Sequence, residues 1–248
     1  MPARLIREEG PAKVWSLLGS RDTARVEAML GLYAKLFPQY AHYVPRMRRR
    51  AEFGEERRAG HVVHYWLVEV DGRPAALRTF RYVRGRHVGL AHALAVDPAY
   101  RAVTVGGQRL SMFLVHACLD QIIADSKRLG DEAALGMVNE VESPHLMEHY
   151  KRNGILELPV KYVEPVFPAE NDARTREQEI ALVHFAPMFL GFLPDALLGI
   201  RTYTSEMISN FALAFLVDHY GLPAEHPRVQ AVLESIPVLS QEAAWKRQ

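Results

Sequence analysis

At 248 residues the chain can bury one full core, either as a single large domain or as one domain with an appendage. Hydrophobic residues make up 49% and charged residues 24%, which excludes a disordered chain. Its 30 Lys and Arg nearly balance its 29 Asp and Glu, so no global field recruits nucleic acid or anionic lipid.

The opening residues, MPARLIREEGPAK, lack the apolar core of a signal peptide. Asp22 can cap a helix that carries Val26, Met29, Leu30, Tyr33 and Leu36 on one face, and Pro38 stops it. A second helix is expected from Pro45 to about Arg58. Its cationic run, Arg46 to Arg50, could hold a phosphate, but with Glu52, Glu55 and Glu56 close by it reads better as a solvated face.

Three strands follow as an antiparallel meander. HVVHYWLVEV ends in the tight-turn pair Asp71-Gly72, PAALRTFRYV ends near Arg84-Gly85, and HVGLAHALAV runs into Asp97-Pro98. A helix is expected from about Thr104 to Arg128, with Leu110, Phe113, Leu114, Ala117, Ile122 and Ala124 on its apolar face and Gly130 as its C-cap. The single cysteine, Cys118, falls inside this helix beside Leu114, Val115, Leu119 and Ile122. It reads as a buried packing thiol, and the lack of a second cysteine suits a reducing compartment.

AALGMVNEV is a short, nearly all-apolar strand, as a central position requires. Ser143 and Pro144 start a short helix that ends at Asn153-Gly154. ILELPVKYVEPVF and EQEIALVHFAP read as a final pair of strands. The apolar stretch from Ala181 is broken by His184, Pro187, Pro194 and Asp195, whereas a membrane span needs about twenty continuous apolar residues. The expected location is cytoplasmic, away from the membrane. From Phe192 onward the sequence reads as helical, with Thr204 or Ser205 as a cap. Ile208, Phe211, Ala212, Phe215 and Leu216 form one apolar face, with Leu213 and Val217 on the other. Such a helix must be covered, by its own chain or by a second copy in a homodimer. The division expected is residues 1–190 as the main domain and 191–248 as a helical extension.

Two runs carry chemistry. In LAVDPAYRAVTVGGQRL a strand enters a tight turn holding Arg101 and then the pair Gly106-Gly107. A helix starting there would aim its free N–H groups and positive end at one point, which suits a phosphate or pyrophosphate. Downstream, Tyr150 is followed four residues later by Gly154-Ile155 at the end of the short helix.

With these motifs in this order of elements, the chain resembles the GNAT N-acyltransferase superfamily from roughly Arg21 to Pro187. The fold class implied is α/β (α+β), a mixed, mostly antiparallel central sheet flanked by helices. The resemblance implies a co-substrate, acetyl-CoA, bound along Leu94, Ala95 and Val96 and at the turn Arg101, Ala102, Val103, Thr104, Val105, Gly106 and Gly107. Arg101 and Gly106 match the family's Arg/Gln-x-x-Gly-x-Gly/Ala pattern, and Thr104 stands where glycine is usual. The resemblance makes Tyr150 the acid that protonates the leaving thiolate. It offers two bases for the amine: His92, in the pattern His-x-Leu-Ala-Val, and Glu140 at the end of the fifth strand.

The activity implied is acetyl transfer to a primary amine, on a small molecule or a peptide. Longer-chain acyl transfer on the same fold, or a non-catalytic CoA-binding module, are the alternatives. The histidines suggest no metal site. His61 and His64 should point to opposite faces of a strand, and the pair His145 and His149 has no third ligand nearby.

Overall fold

The computed structural model describes residues 2–54, 60–169, 174–200 and 202–239. The chain packs as two compact units. One is built chiefly from Met1–Arg81 and Ala91–Gln121, the other chiefly from Tyr82–Leu90, Ile122–Pro168 and the C-terminal residues. The class is α/β (α+β), with mostly antiparallel strands flanked by helices.

In the first unit, strands β1 (Arg4–Glu9) and β2 (Ala12–Ser16) pair antiparallel across Gly10-Pro11, and β2 pairs with β3 (His61–Val70) from Ala12↔Val70 to Ser16↔Trp66. This hairpin was not expected. Arg4, Arg7, Glu8 and Glu9 hide the strand period in β1, and such charges are how a protein blunts an edge strand. The order then runs on through β4 (Arg73–Val83) to β5 (Val88–Val96). Asp71 and Gly72 both take positive φ, 50° and 74°, the turn geometry that joins β3 tightly to β4.

Helix α1 (Thr23–Leu36) starts as expected, with Asp22 accepting from the Arg25 amide at 3.1 Å. Helix α2 runs Val44–Phe53 and is stopped by Gly54 at φ 78°; the expected remainder of it to Arg58 lies outside the described residues. Val26, Met29 and Leu30 of α1 and Met47 and Ala51 of α2 pack on Val63, Tyr65 and Leu67 of β3, Leu77 of β4, and Ala93 and Ala95 of β5. Burying each large apolar side chain of this set contributes roughly 1.5–3 kcal/mol.

The expected helix start at Thr104 is corrected. Thr104–Val105 (β6) and Gln108–Arg109 (β7) form a small antiparallel hairpin, and α3 spans Leu110–Leu129. Gly106 and Gly107 hold φ of 56° and 78°, and two successive positive φ values close a hairpin and forbid a right-handed helix. A Gly-Gly pair between two short runs is itself a hairpin signal, and the helical pattern downstream masked it.

In the second unit, β8 (Gly136–Val141) leads into α4 (Pro144–Lys151), whose N-cap Ser143 accepts from Leu146. Strands β9 (Leu156–Glu157) and β10 (Tyr162–Val166) come next. EQEIA, expected as strand, is instead helix α5 (Arg176–Ala181), because Thr175 and Gln178 close a capping box. Strand β11 (His184–Pro194) pairs with β8 along one edge, and with β10 and then β9 along the other. Gly191 to Pro194 therefore continue a strand, and the helices of the C-terminal segment begin later than expected.

Those helices are α6 (Ser205–Leu213), which widens into π turns over Ala214–His219, and α7 (Pro227–Glu234). Ile208, Phe211, Ala212, Phe215 and Leu216 are fully buried on their own chain, with Phe211 against Phe192 at 4.7 Å between ring centres. No helix among the described residues is long and apolar enough to cross a membrane.

Asp22 makes two bonds at once: it caps α1 and pairs with Arg25, whose guanidinium lies 3.7 Å from the Trp15 ring centre and reaches Glu69 at 2.9 Å. Asp22→Ala should lower stability by about 1–2 kcal/mol. Urea unfolding with an unchanged slope is the check.

Candidate functional site

The glycine turn of the first unit is an exposed loop with a defined skeleton. Asp97 accepts from the Ala99 amide at 3.0 Å and from Lys35 at 2.7 Å, which holds its carboxyl below the usual carboxylate range. The chain then passes Arg101, whose Nε bonds the Val96 carbonyl at 3.4 Å, and Val103, whose carbonyl accepts from the Leu110 amide at 3.0 Å. Arg109 donates to the Ala102 carbonyl at 2.8 Å. The first amide of α3 is thus engaged in closing the hairpin.

Free donors sit at the hairpin tip instead. Gly106 and Gly107 are exposed, and their N–H groups meet no acceptor among the described residues. A Cβ at Gly106 would run into the Glu9 carboxylate, which reaches over from β1. Thr104 is exposed, while Val105 is buried and anchors the hairpin. Of the strand positions before the turn, Ala95 is buried and Leu94 and Val96 are half-buried.

His92 lies on β5 of the same unit. Strict alternation would set it on the face opposite Ala93. Yet Ala93 and Ala95 pack in the same cluster as Leu77, and His92 bonds Arg81, which shares the Leu77 face of β4 by the two-residue period. Successive residues on one face define a bulge at His92-Ala93. The Thr79 hydroxyl accepts the Ala93 amide there at 3.2 Å. The expectation that His92 shares a face with Leu94 and Val96 is corrected accordingly.

Arg81 donates from Nε to His92 Nε2 at 3.2 Å, and its Nη1 lies 3.3 Å from His61 Nδ1. A guanidinium only donates, so both ring nitrogens are acceptors and the one lone pair of neutral His92 is engaged. Burial, then Arg81, Arg78, Arg50 and His61, push the His92 pKa well below its ordinary 6.5.

Glu140 and Tyr150 belong to the second unit. Glu140 is half-buried near the end of β8, and its two carboxyl oxygens accept from Tyr162 at 2.6 Å and Tyr220 at 2.8 Å. Tyr220 also lies 3.3 Å from Glu164 of β10. Burial, then the Glu164 charge, raise the Glu140 pKa well above 4.5. Tyr162 and Tyr220 are themselves raised by burial and by Glu140, so they remain donors. Tyr150 is buried on α4, and its carbonyl accepts from Asn153 and Ile155, with Gly154 at φ 85° turning the chain between them. Tyr162, Glu164, Tyr220 and Arg81 escaped the sequence reading. Three sit on strands where a polar residue reads as the solvent face, and Tyr220 follows a π turn that shifts the helical register.

No family model matches the sequence, and no curated protein matches it. The solved structures it is similar to include GNAT-family acetyltransferases. One, described as an acetyltransferase from the GNAT family of Bacteroides thetaiotaomicron, shares 19% identity over 82% of this chain and 95% of its own, with a TM-score of 0.49. An acetyl transferase from Salmonella typhimurium that modifies the N-terminal serine of ribosomal protein L7/L12 shares 11% identity over 77% of this chain and 99% of its own, with a TM-score of 0.47. A RimL alpha-N-protein acetyltransferase in complex with coenzyme A shares 12% identity over 77% and 98%, with a TM-score of 0.44.

The raised Glu140 pKa makes a stability prediction. A carboxyl whose folded pKa exceeds its unfolded value stabilises the fold below about pH 4.5, and that stabilisation is lost as pH rises through the folded pKa. Glu140→Gln should therefore melt higher than the parent at pH 7.5, with the difference shrinking toward pH 4.5. Melting temperatures across that range decide it.

Proposed function

We propose that this chain is an acyl-CoA-dependent N-acyltransferase of the GNAT type, moving acetyl from acetyl-CoA to a primary amine of a small molecule or peptide. The observation that carries the reading is the hairpin tip at Gly106-Gly107. It offers two outward amides flanked in sequence by exposed Arg101 and Arg109, in the register of the family's pyrophosphate motif. Thr104 is exposed at the hairpin base, where its hydroxyl can donate in place of the missing glycine's close backbone approach.

Each remaining role is assigned residue by residue. The backbone of Leu94 to Val96 aligns the pantetheine arm, and a strand amide polarises the thioester carbonyl. The amine nitrogen forms a bond to the acetyl carbon as the carbon–sulfur bond breaks. Tyr150 gives its proton to the departing thiolate. Glu140 takes the amine proton: its raised pKa gives it basicity near working pH, and a carboxylate keeps lone pairs beyond the two its tyrosines use. His92, the other candidate base, has its lone pair on Arg81, which supports a positioning role.

The half-exposed Leu213 and Val217 support extending the proposal to a homodimer, and a cytoplasmic location completes it. Sedimentation as a monomer would remove the dimer without touching the chemistry.

The donor site is tested by calorimetry with CoA. Arg101→Ala should weaken binding about three- to tenfold, and Glu9→Gln, which removes a negative charge beside Gly106, should tighten it. Equal affinity in all three proteins would move CoA elsewhere. Tyr150→Phe should lower turnover about a hundredfold or more in a thiol-release assay while CoA affinity stays put. Unchanged turnover, with chemistry limiting the rate, would return Tyr150 to packing.

A further inference from the structure

The first unit gathers an unusual amount of positive charge around one bulge. Arg81 is 3% exposed and Arg78 2% exposed, both on β4. Arg81 is held between His92 of β5 and His61 of β3, with donor–acceptor distances of 3.2 and 3.3 Å. Arg50 of α2 acts on the same histidine, and the charged groups acting most strongly on His92, namely Arg81, Arg78, Arg50 and His61, all carry or can carry positive charge. His61, His92 and Arg50 are half-buried, so the cluster opens to solvent through them while Arg81 lies beneath.

Imidazole rings solvate a buried guanidinium without neutralising it. Both rings here hold their acceptor nitrogens toward Arg81, so neither contributes a proton to oppose an incoming anion. An anion reaching the cluster would meet fixed positive charge of low exposure, where its field is screened least. Either ring could then take a proton and become a donor to that anion.

We propose that this cluster binds the anionic group of the acceptor, a carboxylate or a phosphate, so that the acceptor is an amine that also bears negative charge. The proposal deepens the acyltransferase reading and rests on it for the word acceptor, but anion binding itself is measured without acyl-CoA. The bulge at His92-Ala93 is the device that makes the site. It turns His92 onto the Arg81 face, where regular alternation would have turned it away.

The test uses the full chain with succinate and inorganic phosphate as probes, read by melting temperature and by the imidazole resonances of His61 and His92. Both resonances should move on addition of at least one probe, and the favoured probe tells carboxylate from phosphate. Binding should weaken at least tenfold in Arg50→Gln and in Arg81→Gln, and persist in Arg101→Ala, which separates this cluster from the glycine turn. If Arg81→Gln does not fold, Arg50→Gln with His61→Asn carries the comparison. Histidine resonances unmoved by both anions, or binding unaltered in Arg50→Gln and His61→Asn, would overturn the proposal. As a second arm, with acetyl-CoA present, β-alanine or phosphoethanolamine should show a KM at least tenfold below that of ethanolamine, and Arg50→Gln should erase the difference. Failure of all acyl transfer with anion binding intact would count against the acyltransferase reading alone.

Discussion

A charge taken out of water must meet a hydrogen-bond partner or it destabilises the fold, and this protein meets that constraint three times on its strands. Glu69 of β3 is met by Trp15 and Arg25, which ties α1 to its strands. Arg81 of β4 is met by His92 and His61, which stabilises a bulge in β5. Glu140 of β8 is met by Tyr162 and Tyr220, which ties the C-terminal segment to β8 and β10. Each network joins elements distant in sequence, and each leaves one group with a perturbed or constrained chemistry.

The consequences for function differ between the networks. Around His92 the perturbing groups are cationic, so the ring stays neutral and its lone pair stays on Arg81. Around Glu140 the perturbing charge is another carboxylate, so the proton is retained and the carboxyl becomes more basic. Two candidate bases of equal standing in the sequence are thereby separated by their surroundings. Opposite shifts of this kind are how environment divides roles among titratable groups.

The glycine turn shows a different economy of structure. Gly106 and Gly107 take φ values that a side chain resists, and the hairpin they close holds back the start of α3 to Leu110. The donors that an anion would meet are therefore loop amides and arginines rather than the first turn of a helix. Glu9 stands beside the same tip, so β1 brings a like charge to the place where an anionic group would arrive.

The sequence by itself determined what depends on near neighbours in the chain. Asp22 and Ser143 mark their helix starts, Asp71-Gly72 marks its hairpin, and the all-apolar run at Met137 and Val138 marks a central strand, because capping, turn dihedrals and burial period act over a few residues. Arg101, Gly106 and Tyr150 were legible as a motif for the same reason. Tertiary structure alone decided the rest. The β1–β2 hairpin is held by pairing to β3 and not by its own pattern. The bulge at His92 depends on Thr79 and Arg81, and the Glu140 network on a tyrosine eighty residues away. These follow from which strands lie side by side, and a side chain's pKa and lone pairs are set by whatever that pairing brings next to it.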